Sequence, residues 1–340
     1  MELKELDKQI KENSIGRLYF FYGEEQFLLE HKIKAMRSKL LMPDFQDLNY
    51  TVIDDKKQAL SELSTELMSV PVMDEKKMIV VKSSGLFSNQ KLTDYKTVCE
   101  LISDIPEYMC VVFWEKEVEK KKEKNLDPIS KYGEVLRFDP LSFVQLERWL
   151  DRLFSDNGKS ILPREINTMI KFSGTGMASL YNEAQKLINF VGDRTKITEE
   201  DVVKVVSKST ETRIFDVIDE ISKGQSKKAF DEIAALRASG ESASTILSLL
   251  SSRMGELLMV KQLSGEKLSR DKIAGYFEPR RPTFVVDKLL EKAKNFSTKH
   301  LRDMTVLGTE YMYLVRTGKL DEWAAVEMYT ATLMDNANKK

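Results

Sequence analysis

Apolar positions along this chain keep two rhythms, and the change comes near Pro140. Through the first 140 residues, short dense apolar runs alternate with stretches in which apolar residues recur every three or four places. Leu18-Tyr19-Phe20-Phe21-Tyr22-Gly23 is short, apolar throughout and stopped by a glycine, as a strand buried on both faces would be. Residues 24–41 follow with Phe27, Leu28, Ile33, Met36 and Leu40 near helical spacing. The same contrast predicts further strands over 48–53, 78–82, 109–114 and 135–138, and helices over 58–68 and 92–103. Strands alternating with helices, several of them apolar on both faces, predict an α/β domain with a mostly parallel sheet.

Beyond Pro140 the strand signals nearly vanish. Helical periods cover 144–155, 163–171, 177–191 and 199–207, the last opened by the acidic cap Thr198-Glu199-Glu200-Asp201. A second helical block holds 214–222, 226–238, 243–263 and 301–316, punctuated by Gly224, Gly240, Gly265 and Gly318. The expected fold class is therefore α/β followed by all-α, in three parts: residues 1–140, 141–210 and 211–340. The stretch from Ile246-Leu247 to Leu257-Leu258-Met259-Val260 is too apolar for a solitary surface helix. It serves either a contact with neighbouring helical domains in an assembly or its own domain's core.

Composition adds class limits. Hydrophobic residues make up 42% and charged residues 31%, an ordinary globular balance. The formal net charge of −1 excludes a uniformly basic nucleic-acid binder. Residues 1–140 hold 22 Lys+Arg against 26 Asp+Glu, which leaves 31 against 28 for the rest. Residues 261–300 alone carry ten basic against five acidic side chains, with Arg280-Arg281 as a candidate DNA-facing pair. Lys120, Lys121, Lys122 and Lys124 sit among glutamates and read as a solvated loop. The two cysteines, Cys99 in a predicted helix and Cys110 in an apolar run, show neither a disulfide framework nor zinc spacing, as suits a reducing cytoplasm. The opening Met-Glu-Leu-Lys-Glu-Leu is too charged for a signal peptide, and no apolar run approaches the roughly 18 residues of a membrane span. A cytoplasmic chain with no membrane contact is expected.

Catalytic chemistry is hard to place. A strand, a glycine and a helix at the N-terminus are where a nucleotide-binding domain carries its phosphate loop. That loop needs Gly-x-x-x-x-Gly-Lys-Ser/Thr, because successive backbone amides must wrap the phosphates and a lysine must reach them. Here the turn reads Gly23-Glu24-Glu25-Gln26, with one glycine, no lysine, and two carboxylates where phosphate charge would lie. Gly158-Lys159-Ser160 imitates the tail of such a loop but follows a helix and lacks the first glycine, which would fall at Leu153. Glu115, after Val111-Val112-Phe113-Trp114, offers a single acid where magnesium sites use a pair. His31 and His300 lie in different predicted domains, no Gly-x-Ser-x-Gly elbow occurs, and no His/Cys/Asp cluster has ligand spacing. No catalytic centre, cofactor or metal is expected. An active ATPase and a helical scaffold protein are the alternative classes.

One connection is more informative. Met68-Ser69-Val70-Pro71-Val72-Met73-Asp74-Glu75-Lys76-Lys77 joins a predicted helix to the third predicted strand. Pro71 cannot continue the helix, so Val70, Val72 and Met73 fall on a loop. Apolar side chains there either anchor a partner or tuck under the sheet edge.

Several segments, in order, resemble the δ subunit family of bacterial DNA polymerase III. They are Tyr19-Phe20-Phe21-Tyr22-Gly23-Glu24-Glu25-Gln26-Phe27-Leu28-Leu29-Glu30, Val70 through Lys82, Val112-Phe113-Trp114-Glu115 and Lys131-Tyr132-Gly133. Gly174-Thr175-Gly176-Met177 with Leu180, Asn182-Glu183 and Lys186-Leu187 continues the series, followed by Ile197 to Val203 and Ile214 to Asp219. The resemblance implies an AAA+-like parallel-sheet domain without a working P-loop, a small helical lid and a C-terminal helical collar used in oligomerisation. It also implies a clamp-loader subunit that binds and opens the β sliding clamp for loading on primed DNA, beside sibling ATPase and δ′ subunits. The apolar loop ahead of a sheet strand is the family's clamp-binding element, which falls here on Val70, Val72 and Met73. Family members often carry a bulkier Leu or Phe at the last two of these positions.

Overall fold

Five strands form one sheet: β1 (Leu18–Tyr22), β2 (Tyr50–Ile53), β3 (Lys77–Lys82), β4 (Met109–Glu115) and β5 (Glu134–Arg137). This computed structural model describes residues 1–91, 93–277 and 283–337, which fall into two compact units, Met1–Leu141 and Ser142–Lys340. The strand order is β2-β3-β4-β1-β5 and every pairing is parallel. Parallel strands need crossovers, which the intervening helices supply. Leu18, Phe20 and Tyr22 enter one core with Ile79, Val81, Val111 and Phe113, under Val98 and Ile102 of helix Thr93–Ser103. Tyr19 and Phe21 alternate to the opposite face and are also buried. Burial on both faces is why these runs carry no polar alternation. Each large side chain removed from water contributes on the order of 1.5–3 kcal/mol.

Three expectations shift. The predicted strand over 48–53 begins only at Tyr50, because Gln46–Asn49 is a helical turn following a 3-10 turn at Pro43–Phe45. Asn49 donates from its side chain to the Phe45 carbonyl at 3.1 Å, the local bonding that makes asparagine a poor strand former. Residues 120–124 are not a free loop. Lys120–Leu126 is a 3-10 helix pinned by buried Asn125, whose amide donates to the Phe87 carbonyl at 2.9 Å. The helix opened by Thr198 is Glu199–Val205 and does not reach Ser207, whose N–H instead donates to Glu183 at 3.0 Å.

The second unit is helical. It holds Phe143–Asp156, Pro163–Ser173, Met177–Val191 and Glu199–Val205, then Thr210–Ser222, Ser226–Ala238, Ala243–Gly265, Arg270–Ala274, Thr283–Ala293, Thr298–Arg316 and Glu322–Ala337. Ala243–Gly265 is its spine, packed against Thr283–Ala293, Thr298–Arg316 and Glu322–Ala337. Ile246, Leu247, Leu250, Met254, Leu257 and Val260 are buried in this unit's own core, so most of the apolar stretch is consumed internally, while Leu249, Leu258 and Met259 are only partly buried against it. The spine and Thr298–Arg316 cross at Gly308, where an added Cβ would stand 2.3 Å from the Ser251 Oγ and 3.0 Å from the Tyr329 hydroxyl. The Thr198 cap forms as its sequence predicts, with Asp201 answering it and held in turn by Arg194 at 2.8 Å. The chain is an α/β unit followed by an all-α unit.

Candidate functional site

In a parallel sheet the two ends face different loops. At the C-terminal end of β1 the chain turns through Gly23, whose φ of +134° only glycine adopts readily. The turn is closed by its neighbours. The Gly23 N–H donates to the Lys116 carbonyl at 3.2 Å and the Glu25 N–H to the Phe138 carbonyl at 3.0 Å, while the Phe138 N–H donates to Tyr22 at 2.7 Å. Gln26 donates to the Gly23 carbonyl at 2.6 Å and accepts from the Trp114 indole at 2.7 Å. Amides that a phosphate would need are thus engaged with carbonyls. Burial raises the pKa of the half-buried Glu25 carboxyl.

A cavity of about 130 Å³ beside this end is lined by Phe20, Gly85, Phe87 and Glu115, against roughly 300–1,000 Å³ for small-molecule sites. Burial likewise raises the pKa of Glu115, which accepts from Gly85 N–H at 2.9 Å and the Ser84 hydroxyl at 3.1 Å. Lys159 of the imitation phosphate loop donates to the carbonyls of Gly192 and Arg194. His31 lies against the Phe27 ring in the first unit, and His300 is buried against Phe296 in the second.

The connection into β3 lies at the N-terminal end of the sheet. Val70, Val72 and Met73 are 65%, 47% and 74% exposed there, so they do not tuck under the edge. Met68, which the sequence pattern does not single out, is 82% exposed beside them. Met73 adopts a left-handed φ of +52°, which is costly for a residue with a Cβ. The loop's base is fixed by Lys77, buried and paired with Glu66 at 2.6 Å and with the Ser69 hydroxyl. Its tip is fixed by Asn49 and Asp74. Asn49 is fully buried and bonds both backbone groups of Val72, accepting from its N–H at 2.7 Å and donating to its carbonyl at 2.8 Å. Asp74 accepts from the N–H of Met42 at 2.8 Å and of Glu75 at 2.6 Å. Asn49 was legible only as a polar residue inside an apolar run, which demands a partner without saying which.

Of the basic stretch over 261–300, Arg280 and Arg281 lie outside the described residues. Lys261 donates to the carbonyls of Ala293 and Phe296, and Lys292 pairs with Asp219 at 3.0 Å. These two cations are therefore used within the fold. Among the described residues no helix is long and apolar enough to cross a membrane.

Comparison with known proteins bears on both units. The model of the family "DNA polymerase III, delta subunit" matches residues 19–137, and that of "DNA polymerase III delta subunit, C-terminal domain" matches residues 211–333. DNA polymerase III subunit delta of Bacillus subtilis (strain 168) is 22% identical over 338 residues, covering 98% of this chain and 97% of its own. A probable DNA polymerase III subunit delta of Aquifex aeolicus (strain VF5) is 20% identical over 264 residues, 75% of this chain and 74% of its own. The solved structure of the Bacillus subtilis DNA clamp loader delta protein superposes with a TM-score of 0.71 at 21% identity, covering 98% of this chain and 99% of that one.

Proposed function

Because the chain belongs to the DNA polymerase III delta subunit family, we propose that it is a non-catalytic clamp-loader subunit that grips the β sliding clamp through Val70, Val72 and Met73. The observation that carries this is the exposed apolar loop, held in one form by buried polar residues while its large side chains face solvent. Exposed apolar side chains on an ordered loop contribute little to their own fold and suit a pocket on a partner. In this reading the anchors fill a clamp pocket and favour the state with one ring interface sprung. Sibling subunits of the ATPase type hydrolyse ATP, and with them and the δ′ type this chain takes part in loading the clamp on primed DNA in the cytoplasm. Residues 1–140 serve as the clamp-binding domain, 141–210 as the lid and 211–340 as the collar that joins the siblings. The closed Gly23 turn supports leaving ATP to those siblings.

The test is the double variant Val72→Ala, Met73→Ala, assayed for thermal melting and for binding to the purified sliding clamp. Loss of interface anchors of this size costs about 2 kcal/mol, or roughly thirtyfold in affinity. Melting should move little. A large melting shift with unchanged clamp affinity overturns the assignment.

A further inference from the structure

We infer that Asn49 is the positioning residue of the clamp contact, holding Val72 and Met73 in their binding form before the clamp arrives; this rests on the loop being the clamp anchor. The loop's own apolar side contributes little to holding it, since Val70, Val72 and Met73 largely face solvent. Pro71 has no N–H to give. Val72 nevertheless has both backbone groups bonded, by the one amide of Asn49. That amide does for Val72 what an adjacent strand would do. The same amide donates to the Phe45 carbonyl, so the loop is tied to the turn Pro43–Phe45 and the helical turn Gln46–Asn49 that precede β2.

Met73 stands between two such ties. Asn49 fixes the residue before it, and Asp74, bonded to the Met42 N–H, follows it. A left-handed methionine persists only where its surroundings over-determine it, and both determinants come from residues 42–49. Asn49 itself is fully buried and offers no surface to a partner. Any effect of its replacement on clamp affinity therefore acts through the loop. When a site is formed in only part of the molecules, apparent affinity falls by that fraction. Loss of both bonds to Val72 should lower clamp affinity about tenfold.

The experiment uses the full chain and the purified sliding clamp, with four proteins: wild type, Asn49→Ala, the Val72→Ala, Met73→Ala double variant, and the triple variant. Affinities are expressed per folded molecule. Asn49→Ala is expected to bind about tenfold more weakly in the wild-type background, and to change binding less than twofold once the anchors are truncated. Wild-type affinity in Asn49→Ala, alongside weak binding by the double variant, overturns the role of Asn49 and leaves the anchor reading standing. An equal loss in both backgrounds marks a general structural effect and also overturns it. If the wild type does not bind, or the double variant binds normally, the anchor reading falls and this inference with it. Hydrogen exchange on the unmodified chain decides the matter should Asn49→Ala not fold. A slowly exchanging Val72 amide in the free protein is expected, and exchange at the unprotected rate refutes a preformed loop.

Discussion

Replacing Gly23 with alanine tests how firmly the first unit closes its β1 turn. The new Cβ would meet the Phe138 carbonyl oxygen at 2.2 Å, its carbon at 2.7 Å and the Phe138 nitrogen at 2.8 Å. All three atoms are backbone, so no side chain can swing aside. The Phe138 peptide must retreat by roughly 1 Å to restore ordinary contact. That movement strains the 3.0 Å bond from Glu25 and the 2.7 Å bond to Tyr22. Forcing alanine to φ +134° costs on the order of 1–3 kcal/mol, and each lost bond about 1 kcal/mol. Together these give about 3–5 kcal/mol, a large share of the roughly 5–15 kcal/mol that holds a typical domain. Urea unfolding followed through Trp114, the one tryptophan in residues 1–141, reports this unit. With a slope of roughly 2 kcal/mol per molar, its midpoint should fall by about 2 M, while signals from Trp149 and Trp323 stay put. A fall below about 0.5 M at unchanged slope would refute the reasoning.

Gly308→Ala should destabilise the second unit by about 1–3 kcal/mol, because Ser251 and the Tyr329 hydroxyl occupy the space its methyl needs; calorimetry on the full chain checks this. Burial lowers the pKa of His300 in the folded chain, with Asp303 opposing weakly. The unfolded imidazole, near 6.5, then holds more protons than the folded one as pH drops. His300 therefore leaves stability level above about pH 6.5 and erodes it below, and His300→Phe should reduce that erosion in urea midpoints measured from pH 7.5 to 5.5. His31 is shifted the same way by burial and leaves a residual slope. Thr198→Ala removes a helix cap and should cost about 1 kcal/mol, read as a lower melting temperature.

The sheet was legible because strands buried on both faces leave unbroken apolar runs, and β1, β3 and β4 did so. Thr198 was legible as a cap because its signal is local. Contacts between distant segments leave no such mark. Asn49 sits inside a run that reads as strand, and only the fold brings Val72 to it. Whether Val70, Val72 and Met73 face water was open from pattern alone, since an apolar loop suits either outcome. Helix Glu322–Ala337 lies in the block that reads as helical but does not stand out as a segment, because small and polar residues dilute its buried Val326, Tyr329 and Leu333. Arg253, buried 3.7 Å beneath the Phe215 ring, could not be told from a surface arginine.

The crossing at Gly308 has a mechanical meaning. Sliding Thr298–Arg316 along the spine by one turn, about 5.4 Å, would bring Met304 or Met312 opposite Ser251, where there is no room even for a methyl. Axial slip between the two longest helices is therefore barred, as in a keyed shaft. A push along either helix therefore moves the two as one body rather than sliding one past the other.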